Sequence, residues 1–62
     1  MIKAGDMLQN IQSGEVFRVK TVDSSIVILA TRDGSHSMIV NPGKIDSVFL
    51  PFVEGEEKKK DR

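Results

Sequence analysis

Sixty-two residues with nine basic and nine acidic side chains, no net charge and no cysteine suffice for one small domain and supply neither a disulfide nor a thiolate metal site to brace it. The even charge balance removes the simplest electrostatic case for a nucleic-acid or anionic-membrane binder. No basic-then-apolar leader opens the sequence, and no apolar run approaches the roughly 20 residues that cross a bilayer as a helix, so a cytoplasmic protein with no membrane partner is the expectation.

Taken in chain order, residues 1–6 are a lead-in that turns at Gly5 and Asp6, and residues 7–11 form a first strand with Met7, Gln9 and Ile11 on one face. Gln12, Ser13 and Gly14 then make a polar connection in which Gly14 can take a positive φ. Residues 15–22 mix Val, Phe and Thr with Arg18 and Lys20, the usage of a half-buried pleated strand. Asp23, Ser24 and Ser25 reverse the chain into a third strand, the apolar run 26–30, which is too short for an ordinary helix.

Asp33-Gly34 between apolar runs predicts a hairpin leading to a fourth strand over residues 36–40. Asn41 followed by Pro42 suits the cap and first position of a short helical turn, placed at 42–46. Residues 47–53 are read as the fifth strand, with Pro51 confining that part to an edge or an end because it cannot donate to a ladder. Residues 54–62, EGEEKKKDR, carry no apolar side chain and are expected to be a disordered charged tail. Every Ala, Val, Ile, Leu, Met and Phe lies in 1–53, which makes that the domain. Short strands at this spacing predict an all-β fold: a small five-stranded barrel or meander with one helical turn.

Gly5-Asp6-x-Leu8, then Gly14-Glu15-Val16-x-x-Val19-x-x-Val22-Asp23 and Ile26-Val27-x-Leu29, resemble the KOW type of motif found in Src-homology-3-like small barrels of ribosomal and transcription-elongation proteins. The resemblance covers about residues 4–30 and implies a barrel of about five strands that contacts RNA or another protein of the gene-expression machinery. An RNA-binding role would fall to Lys3, Arg18, Lys20, Arg32 and Lys44. Trp and Tyr are absent, so no aromatic base-stacking platform is evident.

Candidate chemistry is sparse. His36 lies between Ser35 and Ser37 with Asp33 nearby, but nucleophilic catalysis needs such groups to converge in a set order, and sequence proximity does not supply that. One His and no Cys do not make a transition-metal site, and the scattered Asp residues lack the spacing of a calcium loop. Gly43-Lys44 lacks the preceding Gly and following Ser or Thr of a phosphate loop. No enzyme, cofactor or small-molecule substrate is therefore expected.

The stretches 26–30, 38–40 and 48–53 are apolar at successive positions, although successive strand side chains point to opposite faces. A body this small has one interior, so the surplus calls for a bent neighbouring strand, a second subunit or a partner. The leading expectation is thus a non-catalytic protein-binding module that can include a homodimer, anchored by Val27, Leu29, Ile39, Phe49 and Phe52.

Overall fold

The computed structural model of the chain describes residues 2–53; the tail read at 54–62 lies outside the described residues. Five antiparallel strands form one sheet: β1 (Met7–Asn10), β2 (Val16–Val22), β3 (Val27–Thr31), β4 (Ser37–Val40) and β5 (Phe49–Phe52). Their order is β4-β3-β2-β1-β5. The first four strands follow one another as a meander, and β5 returns to the far side of β1. The expectation of a small all-β domain with five strands and one helical segment holds.

The reversals are built by the residues that suit them. Gly14 (φ 79°) and Gly34 (φ 77°) occupy the left-handed region, where a Cβ would be strained. Asn10 Oδ1 accepts from the Gln12 and Ser13 N–H groups, both at 2.8 Å, which pins the β1–β2 turn. Between β4 and β5 the Asn41 side chain accepts from the Gly43 N–H at 2.8 Å and caps a 3₁₀ turn, Pro42–Lys44, that runs into α1 (Ile45–Val48).

This helical path is longer than the sequence suggested. Ser47 and Val48, read as the start of the fifth strand, belong to α1. Once Asn41 and Pro42 have started the turn, Ser47 Oγ donates to the Lys44 carbonyl at 3.1 Å and Ile45 is buried, so the chain stays helical until Phe49.

One face of the sheet and α1 enclose the core. Leu8, Phe17, Val19, Val27, Leu29, Ile45 and Phe49 form it, with Ile2 and Val40 packed against it. The Phe17 and Phe49 rings meet edge to face, 5.9 Å between centroids. β2 alternates as its sequence implies, with Phe17 and Val19 inward and Arg18 outward. A shift of register between Val19 and Thr21 then inserts Lys20 as an extra residue. Thr21 consequently faces outward opposite Ile28, and Val22 turns toward Val27.

Candidate functional site

Cross-strand partners share a face of a sheet, so the register identifies the outer surface. Phe52, Met7, Arg18, Ala30 and Ser37 form one row across all five strands, and Thr21, Ile28 and Ile39 form a second. Ile39 is 67% exposed and Leu50 52%. The surplus of apolar side chains noted in the sequence is therefore real: Met38 and Ile39 on β4 and Leu50 on β5 are exposed, as are Val22 on β2, Val48 on α1, and Ile11, Ile26 and Val53 outside the strands.

The five expected interface anchors separate on this basis. Val27, Leu29 and Phe49 are core residues and offer no side chain to a partner, a correction to their reading as surface anchors. Each sits on the inward side of its strand against the others of the core, and a continuous apolar run cannot reveal which of its alternate positions point in. Ile39 is on the surface and Phe52 is half-buried on the outer face.

Among the described residues the sheet ends in two strands with no further strand beside them, β4 and β5. Along an antiparallel ladder, hydrogen-bonded and non-hydrogen-bonded pairs alternate. The Thr31 N–H donates to the His36 carbonyl at 2.9 Å, so Leu29/Met38 and Val27/Val40 are the next hydrogen-bonded pairs. Ser37 and Ile39 lie between them and aim their N–H and C=O groups away from the sheet. At the other edge the Ile11 N–H donates to the Val48 carbonyl at 2.8 Å, which leaves Phe49 and Pro51 as the residues facing out. The Phe49 N–H is already given to the Ile45 carbonyl, and Pro51 has none. The β5 edge thus presents no donor, while the β4 edge presents two in an uncharged strand, Ser-Met-Ile-Val. A depression lined by Glu15, Phe17, Thr31, His36, Ser37 and Met38 lies alongside the start of β4.

The five expected cations gather only in part. Arg18 stands in the outer row between Met7 and Ala30, and the Arg32 guanidinium sits 5.8 Å from the Phe52 ring centroid. Lys20 is exposed at the register shift in β2. Lys3 instead pairs with Asp6 at 3.4 Å, and Lys44 lies at the end of the 3₁₀ turn. The strands themselves contain no Asp or Glu, so the outer face is locally basic although the chain is neutral.

At the β3–β4 turn, Asp33 Oδ1 accepts from Thr31 Oγ1 (2.8 Å), the Ser35 N–H (2.9 Å) and Ser35 Oγ (2.7 Å). These bonds, the Ser35 N–H first, hold the Asp33 carboxyl down at about 2. Ser35 Oγ also lies 2.9 Å from His36 Nδ1. The order is acid, hydroxyl, imidazole, whereas a nucleophilic relay needs the imidazole between the other two. A hydroxyl that gives its proton to Asp33 accepts from the ring, so this cluster ties a turn together. Among the described residues no three His, Asp or Glu side chains gather as a metal site requires, and no helix is long and apolar enough to cross a membrane.

No protein-family model matches the chain, and neither the comparison with curated proteins nor that with solved structures returns a match.

Proposed function

We propose that the chain is a non-catalytic binding module of the cytoplasm that takes up an extended segment of polypeptide along the free edge of β4. The observation that carries this reading is the outward pair of N–H groups at Ser37 and Ile39 in a strand without Pro, Lys or Glu to guard it. Main-chain hydrogen bonds along such an edge supply affinity, and the alternating side chains supply choice. The absence of cysteine is compatible with a reducing compartment.

A six-residue peptide alternating Thr and Val is a suitable probe, because it can pair as a strand and carries no charge. Titrated into the protein, it should shift and slow the exchange of the Ser37 and Ile39 amides while leaving those of Leu50 and Phe52 unchanged. Equal effects at both edges, or none at β4, would sink the reading.

The basic outer face supports a second reading, an RNA contact through Arg18, Lys20 and Arg32 beside Phe52. The five strands agree in number with what the KOW-type resemblance implies. Three phosphate contacts would give log K a slope against log salt of about −2 with single-stranded RNA. Mixed-sequence RNA that moves no amide of β2 at low salt would end it.

A further inference from the structure

We propose that the occupant of the β4 edge is β4 of a second copy of this chain, joined antiparallel about a two-fold axis at Met38; this rests on the strand-pairing reading given above. The register follows from which groups face out. Ser37 and Ile39 are the outward residues, and a two-fold through Met38 sets Ser37 of each copy against Ile39 of the other. All of their outward N–H and C=O groups are then satisfied. Met38, 41% exposed on the inward side at the end of the sheet, meets its own copy across the axis. The depression it lines with Phe17 opens at the same place and gives that side chain somewhere to lie.

Charge favours a second copy over a charged partner. Ser35 to Gly43 contains no Asp, Glu, Lys or Arg, and the chain carries no net charge, so neither the local contact nor the long-range field opposes self-pairing. Antiparallel pairing also brings the turn of one copy, with its ionised Asp33, toward the helical end of the other, with Lys44. The opposite edge decides the size of the assembly. Because β5 offers no donor, pairing stops after one contact and closes as an isologous dimer with a ten-stranded sheet instead of growing into a fibre.

Sedimentation equilibrium of the full chain from micromolar to millimolar concentration, with hydrogen exchange of the Ser37 and Ile39 amides followed in parallel, tests this. A monomer–dimer equilibrium in which these two amides become protected as the dimer fills supports it. Ile39→Pro removes one outward donor, and Ile39→Lys places a charge at the contact if the proline variant fails to fold. Either should raise the dissociation constant about tenfold or more, whereas Leu50→Lys on the blocked edge should change it less than about twofold. A dimer indifferent to both Ile39 variants overturns the proposal, because its interface is elsewhere. A strict monomer at millimolar concentration overturns it too. The Thr-Val peptide then separates the two ideas. If it protects Ser37 and Ile39 in that monomer, only self-pairing fails. If it does not, strand uptake fails as well.

Discussion

β5 and β4 end the same sheet, yet they are held in different ways. β5 buries Phe49 between β1 and the Phe17 ring, is preceded by a helix whose Ile45 enters the core, and turns no N–H outward. β4 contributes no fully buried side chain; its inward residues are the partly buried Val40 and the exposed Met38. In a domain of this size the core is too small to anchor every strand, and the strand it holds least is the one whose backbone is left free. The part that contributes least to stability is the part equipped to bind.

The comparison breaks most sharply under truncation. Phe49→Ala removes a ring that is 3% exposed, at a cost of about 3–5 kcal/mol. A single core in a chain this short supplies about 3–5 kcal/mol in total, so this variant should be unfolded by circular dichroism at room temperature. Ile39→Ala, at the opposite edge, should change the urea midpoint by no more than about 0.5 kcal/mol in free energy. A Phe49→Ala protein with an intact cooperative transition would mean that β5 is not the held edge.

An intermediate effect is expected from opening the blocked edge. Pro51→Thr restores an N–H that, by the alternation along β1, points away from the sheet. With donors then free at both ends, sedimentation should show species larger than a dimer, growing with concentration. If the variant assembles no further than the parent chain, Pro51 is not what limits the sheet.

Much of this arrangement was legible in the sequence, for reasons that can be named. Asp33-Gly34, Gly14 and Asn41-Pro42 require particular backbone conformations, and those turns appear where the residues stand. Arg18 declared an outward side of β2, because a charge between the apolar Phe17 and Val19 cannot be buried with them. Pro51 announced an edge, and β5 is one.

What stayed hidden depends on partners distant in the chain. Val27, Leu29 and Phe49 belong to runs apolar at every position, so parity alone could not place them inward. The register shift at Lys20 reverses the parity of Thr21 and Val22, and nothing in Lys-Thr-Val signals it. Ser47 and Val48 are ordinary strand residues by type and became helical because the cap at Asn41 carried the turn onward. The difference between the two edges was equally invisible, since it rests on which strand pairs with β1 and on the Phe49 N–H being used by Ile45.

The smallest effect concerns acid. Asp33 closes the β3–β4 turn, and its carboxyl lies at about 2 in the folded chain, below the ordinary value of about 3.9. A carboxyl lowered by folding contributes stability that is present above its ordinary value and is lost as pH falls through the folded one. The window therefore runs from about pH 4 to about pH 2. Asp6 is lowered as well, first by the Lys3 N–H, but it ties the lead-in beside β1. Asp33→Ala should melt slightly below the parent chain at neutral pH, and the gap should close across that window. Because the Asp33 bonds serve the hairpin that carries β4, acid should speed exchange at Gly34 and Thr31, whose N–H groups donate within that turn, before it speeds exchange at Leu50. Should the amides of β5 loosen first, or the two chains keep a constant gap down to about pH 2, the Asp33 cluster does not hold the open edge and the weakness of β4 has another source.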